Sequence, residues 1–391
     1  MPFEFHLPSL EEMRTTSDGL EMIRMIDDDN FRSALVTGCP GSGKTTVSIY
    51  RLVRIKNQQT NVHLVTYQNM LVQAIRNLAN VHDVPSDCVS TFHKWYCPLT
   101  DSSFDVDAPP TPEQMTDDLR NSSIASKEIA ELLIDEGQDL PLCIYQVLPQ
   151  YFDRVFVGAD DGQQVHRNHG ARIGDIESVL NKEFRPYRRF PLGRNFRNTY
   201  ETYLFARQFI PKTNQVAWDQ SIPDRLLHSN RRGPRPTVIS YHDADLRNKH
   251  LRTVLRNAEG NVAILCPTAT ESRHSGESVE EVYKIIKNMG ILATKYHNQT
   301  SVPDILERYV VTTFKSAKGL EFDVVVIPRI NFFKDIPEEW YVACTRARRQ
   351  LLVYRDFSAP QFDPLSDFDA DTYDAESLDS ENFVVEENVP F

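Results

Sequence analysis

The run Gly38-Cys39-Pro40-Gly41-Ser42-Gly43-Lys44-Thr45 has the spacing G-x-x-x-x-G-K-[ST]; it follows the apolar, β-branched stretch 33–37 and opens the helical-period stretch TTVSIYRLVRIKN. A phosphate-binding loop needs that context. Glycines let successive backbone N–H groups face one anion, and the helix N-terminus adds its positive dipole end. Gly38, Gly41, Ser42, Gly43 and Thr46 are therefore candidate nucleotide-binding positions. Lys44 can reach the β- and γ-phosphates of ATP, and Thr45 can ligate Mg2+.

The same loop constrains the fold, because it belongs at the C-terminal end of a parallel strand. Six further stretches, 62–66, 131–134, 154–158, 261–266, 309–313 and 324–327, are short, apolar and β-branched, as buried parallel strands are. The expected class is α/β with mostly parallel sheet, divided into two sheets over residues 1–190 and 191–355. The Pro- and Asp-rich segment 98–118 and the stretch 218–236 read as surface loops. Leu132-Leu133-Ile134-Asp135-Glu136 places two acids at a strand end, Asp135 suited to the metal and Glu136 to polarising a water.

Asp135-Glu136-Gly137-Gln138-Asp139 fits D-E-x-Q-D, and from here the chain resembles superfamily 1 helicases of the UvrD/Rep/PcrA type. Segments similar to other family motifs follow in order: 64–69, 91–93, 158–164, 195–198, 263–273, 313–322 and 341–347. The resemblance implies two RecA-like P-loop domains with ATP bound between them, Gln163 sensing the γ-phosphate and Arg197 and Arg346 acting as arginine fingers. It also implies Phe196 stacking on the base, Glu321 bonding the ribose, and single-stranded DNA touching Tyr67, Thr91, Phe92 and His93. Three departures stand out. No bulky aromatic occupies 165–169, so either His166 takes its place as a strand contact or the grip on the strand is weaker; residues 1–43 hold no glutamine to read adenine; and the motif spacing leaves no room for large accessory insertions.

Net charge is −12, but eleven Asp and Glu residues and no Lys or Arg fall within 356–391, so the body is nearly neutral and admits a nucleic-acid groove. That tail reads as disordered, and its Pro390-Phe391 tip is similar to the end of bacterial single-strand-binding proteins, suiting it to a protein partner or to the chain's own groove. Six cysteines without C-x-x-C spacing suit neither a disulfide framework nor zinc. With no apolar span and no leader, the expectation is a cytoplasmic protein without membrane contact.

Two function classes follow. One is an ATP- and Mg2+-dependent helicase or translocase moving 3′ to 5′ on single-stranded DNA, with RNA as the other possible strand. The other is an NTPase subunit regulated by a protein partner, as in an antiviral-defence complex.

Overall fold

The computed structural model describes residues 3, 7–105, 108–120, 122–126, 129–160, 170–210, 232–270, 277–297, 300–301, 303, 305–331, 337–358 and 362–379. Helices α1 (Leu10–Arg14) and α2 (Ser17–Asp27) precede β1 (Ser33–Gly38) and α3 (Lys44–Asn57). Then come β2 (Val62–Thr66), α4 (Asn69–Val81), β3 (Val89–Thr91), α5 (Phe92–Thr100), α6 (Pro112–Arg120) and β4 (Glu131–Ile134). The first lobe ends with α7 (Leu142–Val147), β5 (Arg154–Ala159), α8 (Ile173–Glu183) and β6 (Tyr187–Leu192). Its six strands run in the order β3-β2-β4-β5-β1-β6.

After α9 (Tyr200–Arg207), the second sheet contains β7 (Thr237–Tyr241), β8 (Val262–Cys266), β9 (Ala293–Tyr296), β10 (Tyr309–Thr313), β11 (Phe322–Ile327), β12 (Ala347–Asp356) and β13 (Asp374–Leu378). The order is β13-β7-β12-β11-β8-β10-β9. Every pairing among the described strands is parallel. The α/β expectation thus holds, and all seven strands expected from sequence are present.

Strand periodicity explains the layering. Ala34 and Val36 join one apolar cluster and Leu35 the other, so the first sheet is covered on both faces. The cluster holding Ala34 continues into Ala263, Val310, Val325 and Val353 of the second sheet, which gives the lobes one shared core.

Two expectations need correction. Segment 98–118 is not all loop: α6 buries Met115 and Leu119 completely, an i,i+4 pair hidden among acidic neighbours. Nor is the whole stretch from 356 onward disordered. Asp374–Leu378 extends the second sheet, pairing from Asp374↔Thr237 to Leu378↔Tyr241. Sparse apolar residues suffice there, because Leu365 and Leu378 are buried and Phe368 packs on Phe205 and Phe209 at 5.3 and 4.7 Å. The Pro-Phe tip and most of 218–236 lie outside the described residues. Among the described residues no helix is long and apolar enough to cross a membrane.

A buried charge network fixes α2 beneath the first sheet. Arg51 and Glu131 are both fully buried and paired, Arg154 donates to the same carboxylate at 2.7 Å, and Arg51 Nη1 donates to the carbonyls of Ile26 and Asp28 at 2.9 and 2.8 Å. Removing one partner strands the other charges in an apolar setting. Glu131→Ala is expected to cost about 3–5 kcal/mol in urea unfolding; a cost below about 1 kcal/mol, the range of a surface pair, would contradict this account.

Candidate nucleotide site between the lobes

The loop after β1 turns into α3 through Gly41 and Gly43, whose φ values of 74° and 98° lie in the left-handed region. Space demands glycine as well. A Cβ on Gly41 would meet Arg197 Cβ at 2.4 Å, and one on Gly43 would meet Met22 Cε at 2.5 Å. The second lobe and α2 therefore press directly on the loop. Lys44 Nζ donates to the carbonyls of Gly38 and Cys39 at 2.7 and 3.1 Å and lies 3.5 Å from Asp160. Cys39 is no nucleophile here, since burial pushes its thiol up to about 12.

A cavity of 590 Å³ opens over this loop. It brings together Gly41, Ser42, Gly43, Lys44, Thr45, Thr46 and Glu136 from the first lobe with Phe196, Arg197 and Glu321 from beyond it. Those are expected nucleotide residues, converging from distant parts of the chain. Arg197 Nε donates to Glu321 Oε2 at 2.9 Å, and Phe196 N donates to the Gly41 carbonyl at 2.8 Å. Two buried atoms beside the loop, Ser42 Oγ and Arg197 Nη1, have no hydrogen-bond partner among the described residues, as befits groups that meet an anion.

Behind Thr45, its hydroxyl donates to Asp135 Oδ2 at 2.8 Å, while the buried Oδ1 has no partner among the described residues. Gly158 stands beside that oxygen; a Cβ there would come within 3.1 Å of it. Burial, followed by the neighbouring Glu136 charge, raises the Asp135 carboxyl above its usual range. This orphaned oxygen and the adjacent hydroxyl fit a hard divalent cation. Glu136 occupies a strained backbone position with φ 54°. Its Oε2 accepts from Gln138 Nε2 at 2.5 Å, and Gln138 Oε1 accepts from the Asp160 N–H at 2.9 Å.

The sequence reading missed Lys318. It is fully buried, comes from the second lobe, and donates to Asp139 at 2.5 Å while lying 3.7 Å from Glu136. Burial works against the Glu136 charge, yet Lys318 and then Lys44 hold its carboxyl below the usual range. The signal was present in the run 313–322, where a lysine stands among apolar residues.

Arg346 does not line the cavity. It is fully buried behind it, donating to the carbonyls of Val342 and Leu320 at 3.0 and 3.3 Å, and burial with the nearby Arg197 brings its pKa down to about 9. Gln163 and His166 lie outside the described residues. Two expected strand contacts are buried. Phe92 has no exposed surface, being stacked on Tyr96 at 5.2 Å, and Thr91 is buried with its hydroxyl accepting from Lys94 N to cap α5. Tyr67 and His93 are half-buried and meet edge to face at 6.0 Å, and burial lowers the His93 pKa.

Two families match this chain: the AAA domain over residues 26–167 and the viral superfamily 1 RNA helicase core domain over residues 227–355. A protein of Acanthamoeba polyphaga mimivirus assigned as an ATP-dependent DNA helicase is 25% identical over 231 residues, covering 55% of this chain and 31% of its own length. The RecB subunit of the RecBCD enzyme of Chlamydia pneumoniae is 43% identical over 60 residues, 14% of this chain and 6% of that protein. The chain thus spans less than a third of either relative. The crystal structure of Pif1 helicase from Candida albicans aligns over 82% of this chain and 90% of its own, with 12% identity and a TM-score of 0.42. The two family matches support a superfamily 1 helicase core, an ATP-hydrolysing class, over these residues.

Replacing Lys318 by an isosteric apolar residue tests its place in the site. Lys318→Met is expected to lower ATP turnover about 100-fold by loosening Glu136, read as kcat well below the variant's unfolding temperature. Wild-type turnover would remove Lys318 from the catalytic account.

Proposed function

We propose that this superfamily 1 core is a UvrD-like motor, coupling ATP hydrolysis in the cleft to 3′-to-5′ movement on single-stranded DNA. The observation that carries the reading is the convergence of Lys44, Thr45 and Glu136 with Phe196, Arg197 and Glu321 on one cavity. Lys44 and Arg197 neutralise charge on the γ-phosphoryl oxygens. Glu136 accepts a proton from the attacking water as its oxygen bonds to the γ-phosphorus and the bond to the bridging oxygen breaks. Phe196 stacks on the base and Glu321 binds the ribose. Thr45 and Asp135 would hold Mg2+, which neutralises phosphate charge when bound.

Movement follows from where the parts sit. Nucleotide contacts come from both sides of the cleft, so filling and emptying it biases the lobes between two spacings. Of the strand contacts expected among the described residues, Tyr67 and His93 retain accessible surface. The short spacing between motifs, which leaves no room for large accessory insertions, favours translocation over unaided duplex opening.

An ATPase assay with and without single-stranded DNA tests this reading. Turnover is expected to rise with DNA, and Glu136→Gln to lower kcat by about 100-fold or more. Wild-type turnover in Glu136→Gln would sink the hydrolytic assignment; DNA-independent turnover would favour the partner-regulated NTPase.

A further inference from the structure

Residues before β1 build one wall of the nucleotide cavity: Leu7, Pro8, Glu12, Met13, Thr15 and Thr16. Phe196 and Arg348 also line it. Resting on the proposed ATP site, the geometry points to Glu12 as the residue that reads the base, accepting a hydrogen bond from an exocyclic amino group.

The wall is held rigidly. A Cβ on Gly19 would fall 2.0 Å from the Met13 carbonyl oxygen, so α1 and α2 are in backbone contact, and Tyr50 Oη donates to the Pro8 carbonyl at 2.8 Å. Its hydroxyls are engaged locally. Thr15 Oγ1 donates to the Glu12 carbonyl at 2.7 Å, and Thr16 Oγ1 accepts from Gly19 N at 3.1 Å. Arg348 lies 3.6 Å from Glu321 and 3.8 Å from Asp323.

Glu12 is differently placed. Ser9 N donates to its Oε2 at 2.7 Å while Ser9 Oγ accepts from Glu12 N at 3.1 Å, a reciprocal cap that aims the carboxylate. A carboxylate has about four lone-pair sites, and this bond uses one. Its field reaches into the wall, since burial and then the Glu12 charge raise the Tyr50 pKa. Phe196, 37% exposed with the Arg194 guanidinium 5.4 Å from its ring centre, offers an aromatic surface for the base. A base held there meets a fixed negative acceptor. Adenine presents an amino group to such an acceptor, whereas guanine carries an oxygen at the same ring position.

The test compares kcat/KM for ATP with that for purine riboside triphosphate, which lacks only the 6-amino group, and for GTP. A hydrogen bond to a charged acceptor predicts that the full chain favours ATP about 10-fold over either. Glu12→Ala is expected to bring the ratios to within about 2-fold, through a higher KM for ATP. Ser9→Ala breaks the same cap but keeps the carboxylate, and should retain most of the preference. Each ratio is read on one preparation, so a partly folded variant does not distort it. Equal use of ATP and purine riboside triphosphate overturns the inference; so does a ratio that Glu12→Ala leaves intact, or a preference for GTP. Turnover of no nucleoside triphosphate would instead overturn the proposed function itself.

Discussion

The arrangement depends on one buried cation. Lys318 has no exposed surface, yet sits among the carboxylates of Asp139 and Glu136 on the other lobe. Two acids and a lysine removed from water are tolerable only together, because each alone carries a desolvation penalty of several kcal/mol. The second lobe thus supplies the charge that the buried Glu136 carboxylate of the first lobe requires. A separated pair of lobes would present Glu136 without Lys318.

Other features serve that juxtaposition. Gly319, with φ 81°, lets the chain turn immediately after Lys318, and a Cβ there would strike Leu71 at 2.6 Å. Thr312 Oγ1 lies 3.7 Å from Met70 Sδ, so β10 meets the start of α4 beside the same turn. Asn198 Nδ2 donates to the carbonyls of Thr345 and Ala347 at 3.0 and 2.7 Å, tying the Arg197 segment to β12. The continuous apolar cluster behind these contacts supplies non-directional attraction, and the polar contacts supply register.

Much of this was legible in the sequence because the phosphate loop and the acids after β4 are contiguous and their residue types follow from the chemistry. Strands buried on both faces, such as β8 and β11, announce themselves as unbroken apolar runs. Less legible were features whose signal is spread along the chain. The edge strand β6 has exposed arginines, β13 is acidic, and α6 shows only Met115 and Leu119 as buried apolar positions. Phe92 looked like a stacking platform because residue type alone does not distinguish a packed ring from an exposed one. Lys318 lies inside the motif-like run 313–322, but its pairing with Asp139 spans 179 residues, and only the folded chain brings them together.

The most direct test of the central claim is a double-mutant cycle across the cleft, reading ATP turnover for Lys318→Met, Asp139→Asn and the combined variant. If the two side chains act through one buried pair, the combined variant will be no slower than the slower single variant, with a coupling energy of at least about 1 kcal/mol. Losses that simply multiply, leaving coupling below about 0.5 kcal/mol, would contradict the account.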